Sequence, residues 1–176
     1  QTPVTSGPKA TFTYDAVGNK ISATDKLGHK TTFVYDALNR LKNETNPQTT
    51  ITTYTYDNNG NKLSETVGGS KTTSYEYDKL NRLSKLTRPG NVMEVYLYDG
   101  NGNLKVKTDG NNQTITYYYD SLDRLFNKQL PTGETSVSYV YDNWTNLTKL
   151  TDESGVSNYT YNYNNLQLSG SKAFTS

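Results

Sequence analysis

A tyrosine followed by an acidic or amide residue returns along this chain at nearly constant spacing, and that period leaves few folds open. Tyr14-Asp15, Tyr35-Asp36, Tyr56-Asp57, Tyr77-Asp78, Tyr98-Asp99 and Tyr119-Asp120 stand 21 residues apart, Tyr141-Asp142 follows after 22, and Tyr161-Asn162 after 20 more. Two residues before each tyrosine is another aromatic: Phe12, Phe33, Tyr54, Tyr75, Tyr96, Tyr117, Tyr139 and Tyr159. Alternate residues of a strand share a face. Every repeat therefore gives one side of a sheet an aromatic pair. The position between them, held by Thr13, Val34, Thr55, Glu76, Leu97, Tyr118, Val140 and Thr160, belongs to the opposite, more variable face.

Turn-forming residues follow each pair, either of a Gly-Asn kind (Gly18-Asn19, Gly60-Asn61, Gly102-Asn103) or of a Leu-Asn-Arg kind (38–40, 80–82, with Leu122-Asp123-Arg124). An aliphatic residue then restarts the pattern at Ile21, Leu41, Leu63, Leu83, Leu104, Leu125, Leu147 and Leu166. Further turns at 26–29, Asn46-Pro47, Gly68-Gly69, Pro89-Gly90, Asp109-Gly110, 131–133 and Ser154-Gly155 return the chain to the next aromatic pair. Each repeat is thus a β-hairpin. The spacing predicts about eight units and about 15 sequential antiparallel strands.

An all-β chain of tandem hairpin repeats is expected, forming a long curved or spiralling sheet with its tyrosine ladder facing inward, because open sheets beyond about 10 strands tend to curl. Composition agrees. Only 32% of residues are hydrophobic and mean hydropathy is −0.85, too little for an ordinary dry core. Disordered chains lack aromatic and β-branched residues, whereas this one has 16 Tyr and a net charge of +1. Stability should come from many cross-strand pairs of about 0.2–1 kcal/mol each. A lead-in over 1–11, one repeat domain over 12–166 and a tail over 167–176 are the expected divisions.

Balanced charge, 18 Lys plus Arg against 17 Asp plus Glu without a basic block, argues against a nucleic-acid partner. No Cys is present, which excludes disulfides and thiol chemistry, and no apolar run nears the roughly 18 residues of a membrane span. No signal peptide begins at Gln1, so the segment is expected to be a mature or excised piece of something longer.

The stretches 35–41 (Tyr-Asp-Ala-Leu-Asn-Arg-Leu), 77–83 (Tyr-Asp-Lys-Leu-Asn-Arg-Leu) and 98–104 (Tyr-Asp-Gly-Asn-Gly-Asn-Leu) resemble the YD-repeat or Rhs-repeat family of bacterial polymorphic toxins, insecticidal Tc toxin shells and teneurins. The resemblance runs from about Phe12 to Asn165. It implies a spiralling β-sheet that builds a hollow shell, often around a C-terminal toxic polypeptide. Family shells hold many more repeats than eight, and the core motif and toxin domain that follow them are not found in this sequence.

The Tyr-Asp columns are expected to be structural, with tyrosines stacking across strands and carboxylates satisfying turn amides. Oxygen-rich loops at 15–19, 57–61 and 99–103 invite a calcium reading, but each has one carboxylate and no closing Glu, so no metal or other cofactor is expected. His29, the one histidine, falls in a turn without a nucleophile motif. No two carboxylates are singled out for glycosidase chemistry.

Candidate ligand contacts are aromatics that break the repeat: Tyr118 opposite the ladder, Trp144 and Tyr163. Five Asn-x-Ser/Thr sequons begin at Asn43, Asn112, Asn143, Asn146 and Asn158. The expectation is a non-enzymatic segment of a secreted or cell-surface protein, serving as shell, stalk or display scaffold. Its partners would be other domains of the parent chain or an enclosed polypeptide, with self-association through edge strands. The alternative is a carbohydrate-binding adhesion module with glycan partners.

Overall fold

The computed structural model describes residues 9–173, which hold sixteen β-strands. The chain divides into two compact units, one ending at Val92 and the other starting at Met93. The first contains β1 (Thr11–Tyr14), β2 (Lys20–Thr24), β3 (Lys30–Tyr35), β4 (Leu41–Thr45), β5 (Ile51–Tyr56), β6 (Lys62–Val67), β7 (Lys71–Tyr77) and β8 (Leu83–Arg88). Then come β9 (Val92–Tyr98), β10 (Leu104–Thr108), β11 (Thr114–Tyr119), β12 (Leu125–Gln129), β13 (Val137–Tyr141), β14 (Leu147–Asp152), β15 (Gly155–Tyr161) and β16 (Gln167–Ala173).

Within each unit the strand order is the chain order and every pairing is antiparallel. The fold is all-β, made of tandem hairpins. Such an array has no dry centre: among the described residues Leu86 is the only buried hydrophobic side chain. Each strand rests on its neighbours in sequence, as expected where each repeat contacts only the adjacent ones.

One irregularity recurs in every hairpin. Val34 pairs with Asn43 but Tyr35 pairs with Leu41, which leaves Lys42 as an extra residue, a β-bulge. The same shift occurs at Tyr14, Tyr56, Tyr77, Tyr98, Tyr119, Tyr141 and Tyr161. It divides the aliphatic column. Leu41, Leu83, Leu104, Leu125 and Leu147 pair with tyrosines, whereas Ile21 and Leu63 are themselves the extra residues, and Lys20 and Lys62 take the paired place.

Residues 1–8 of the expected lead-in lie outside the described residues, and Thr11 already belongs to β1. The expected tail contains β16, which pairs with β15 along most of its length. Nothing in residues 167–173 carries the aromatic-x-Tyr mark, yet β15 leaves an edge that the chain turns back to cover.

Candidate functional site

The Tyr-Asp columns form the most ordered polar arrangement in the molecule. Each aspartate opens a five-residue turn. Asp36 N donates to Arg40 O (2.9 Å), and Asn39 N to Asp36 O (3.0 Å). Its Oδ1 accepts from Leu38 N (2.9 Å) and Arg40 N (3.0 Å), while its Oδ2 accepts from Arg40 Nε (2.7 Å). Asp15, Asp57, Asp78, Asp99, Asp120 and Asp142 accept in the same pattern. Asn162 keeps the two backbone contacts.

These bonds hold the carboxyls below the usual aspartate range: the Arg82 side chain is the chief cause at Asp78, Arg124 at Asp120 and Asn61 at Asp57. Both oxygens of each carboxylate are committed to donors. Such a group is neither a poised general base nor a free calcium ligand. Among the described residues no three His, Asp or Glu side chains gather as a metal-binding group.

The fourth residue of each turn has a left-handed backbone: Gly18, Asn39, Gly60, Asn81, Gly102, Asp123, Thr145 and Asn165. Gly and Asn suit that region, whereas a β-branched threonine is strained there. Adjacent turns are joined in two alternating ways. From a Gly-Asn turn the last asparagine reaches the next turn, as in Asn19 Nδ2 to Asn39 Oδ1 (2.9 Å), Asn61 to Asn81 (2.8 Å) and Asn103 to Asp123 (2.7 Å). From a Leu-Asn-Arg turn the arginine does so, Arg40 Nη1 to Asp57 O (2.9 Å) and Arg124 Nη1 to Asp142 O (3.0 Å). The structural period is therefore two hairpins, not one.

The tyrosines bond backward. Tyr35, Tyr56, Tyr77, Tyr119, Tyr141 and Tyr161 donate their hydroxyls to the carbonyls of Lys20, Leu41, Lys62, Leu104, Leu125 and Leu147, at 2.8–3.1 Å. Each acceptor immediately precedes the bulge residue. A bulge disrupts the ladder there, and the phenol of the next hairpin satisfies the carbonyl it frees.

Where ring-on-ring stacking along these columns is expected from the sequence, several hairpins place a cation between the rings. The aromatic pairs lie on every second strand, about 10 Å apart, too far for direct stacking. Lys20 Nζ sits over Phe33 (4.9 Å) and Phe12 (5.9 Å), Lys62 Nζ over Tyr75 (4.7 Å) and Tyr54 (5.7 Å), and the Arg40 guanidinium over Tyr56 (4.7 Å).

The three repeat-breaking aromatics are not brought together. Tyr118 lies on the face opposite the ladder, its ring 6.3 Å from Phe126 and its hydroxyl on Gln129 Oε1 (2.9 Å). Trp144 and Tyr163 stand in the turns after β13 and β15, 71% and 94% exposed, and those turns are joined by Asn146 Nδ2 and Asn165 Oδ1 (3.1 Å). His29 is an exposed turn residue on Asp25 (2.9 Å). Sequence reasoning missed the bulges and the acceptor carbonyls. Their one sequence trace is the shift of Ile21 and Leu63 by a residue from the other aliphatics.

Comparison with known proteins agrees with this geometry. No curated protein matches the sequence. Solved structures do: the TcdB2-TccC3 crystal structure without its hypervariable C-terminal region aligns at 23% identity and TM-score 0.74, covering 90% of this chain and 10% of that one. The Photorhabdus luminescens Tc holotoxin pore aligns at 24% identity and TM-score 0.71, covering 86% and 10%. At that identity the likeness is one of fold, and this chain spans about a tenth of the solved chains it matches. The profile of the teneurin YD-shell matches residues 2–175. The chain belongs to the teneurin YD-shell family.

Proposed function

We propose that the chain is a non-enzymatic wall segment of a secreted or cell-surface shell or scaffold, enclosing or spacing another polypeptide of its parent protein. The observation that carries this reading is the commitment of the repeated tyrosine hydroxyls to backbone carbonyls of the preceding strand and of the aspartate carboxylates to backbone amides of their own turns. Groups so occupied hold a wall together and are not poised for chemistry on a substrate. Among the described residues β1 and β16 each pair on one side and are exposed throughout, edges that suit the addition of a further strand.

The test is a chimaera in which this chain replaces the matching stretch of the TcdB2-TccC3 shell. Retained protection of the enclosed polypeptide from added protease is expected. A chimaera that folds, by its circular dichroism, yet leaves that polypeptide open to cleavage would contradict the wall reading.

Glycan binding is favoured by one observation, the exposure of Trp144 and Tyr163 on joined turns. Its test is a glycan array on which binding disappears with Trp144→Ala while the melting curve is unchanged.

A further inference from the structure

The face opposite the tyrosine ladder changes character along the chain. In the first unit hydroxyl pairs predominate, Thr13 with Ser22, Ser22 with Thr32, Thr55 with Ser64, Ser64 with Ser74 and Ser74 with Thr87, with the exposed Val34 and Ile51 set among them. In the second, the place between the two aromatics is taken in succession by Leu97, Tyr118 and Val140. Alternation puts Met93 and Val95 on the same face as Leu97, and the contact with Tyr118 places the bulge residue Phe126 there as well. These six side chains are 37–54% exposed. Grouped apolar exposure on a chain so poor in apolar residues marks a contact surface.

Its charge identifies the partner. Lys105, at the bulge place that Phe126 holds in the next hairpin, and Lys149, which pairs with Val140, flank the apolar group and are exposed. On this face of β9–β15 alternation places no Asp or Glu among the described residues. A second copy laid on the surface would set lysine against lysine, which disfavours self-pairing. Thr116, Asn127 and Ser138 lie between the apolar residues and need hydrogen-bonding partners when covered, which acyl chains do not supply.

We propose that this face of β9–β13 docks an acidic polypeptide segment, its apolar side chains on Leu97, Tyr118, Phe126 and Val140 and its carboxylates on Lys105 and Lys149. The surface does not depend on the shell reading, since a stalk would present it equally.

The experiment uses the full chain and two fluorescent synthetic peptides with the same apolar residues, interleaved with glutamate in one and lysine in the other. Anisotropy should show the glutamate peptide binding about tenfold more tightly, a difference abolished by L97S/V140S and reversed by K105E/K149E. All four substitutions are at exposed positions, and unchanged melting curves would show that the fold survives. Equal binding of both peptides, or affinity unmoved in either double variant, would overturn the proposal. So would sedimentation with phosphatidylserine vesicles, or a dimer, that L97S/V140S abolishes, since the surface would then serve a membrane or a second copy.

Discussion

Tyr56 donates its hydroxyl to the carbonyl of Leu41, 15 residues earlier, at 2.8 Å. Leu41 precedes Lys42, the extra residue of its strand, so the bond joins one hairpin's aromatic column to the irregularity of the hairpin before it. The bulge is thus part of the lattice. Removing it should be far worse than altering it, because a one-residue slip turns every side chain of a strand to the other face. Lys42→Ala is expected to change stability by less than about 0.5 kcal/mol. Deletion of Lys42 should destroy cooperative unfolding, as followed by circular dichroism in urea.

The turn aspartates predict acid lability of a definite sign. Their folded values lie below the ordinary 3.8, at Asp57, Asp78, Asp120 and Asp142 among others. A depressed carboxyl contributes stability above its unfolded value and loses it as pH falls through the folded value. Melting temperature should therefore hold level at mildly acid pH and drop steeply below about 4. Asp78→Asn, which imitates Asn162, should flatten that drop at its own turn while keeping the two backbone contacts.

Backbone strain is concentrated in two threonines. Thr49 and Thr145 adopt left-handed backbones (φ 64° and 70°), where most sister turns carry Gly or Asn. Thr145→Gly should stabilise the chain by about 0.5–1 kcal/mol, seen as a raised urea midpoint with an unchanged slope. Gly60→Ala should cost about 1 kcal/mol, although its new methyl would meet nothing within 4 Å. The cost there is purely conformational.

The fold was legible because the period is written in residues that cannot easily serve elsewhere. An aromatic pair two apart fixes a strand face, and Asp followed by Gly or Asn fixes a turn. The tyrosine hydroxyl's partner was not legible, because a backbone carbonyl has no letter of its own. β16 was hidden because its residues follow from the edge that β15 offers, not from any periodicity of their own. The sequence picked out all three repeat-breaking aromatics, Tyr118, Trp144 and Tyr163, of which the last two stand in turns that adjoin. It could not show that Tyr118 is tied to Gln129 and Phe126, since the bulge decides which face Phe126 takes.

The most direct test is equilibrium unfolding of single Tyr→Phe variants at positions 35, 56, 77, 119, 141 and 161, with Tyr163→Phe as the exposed control. Each of the six should lose about 1 kcal/mol, the ordinary worth of a hydrogen bond whose acceptor is left partly unpaired, and the control nothing measurable. Six variants as stable as Tyr163→Phe would contradict the claim that these hydroxyls hold the sheet together.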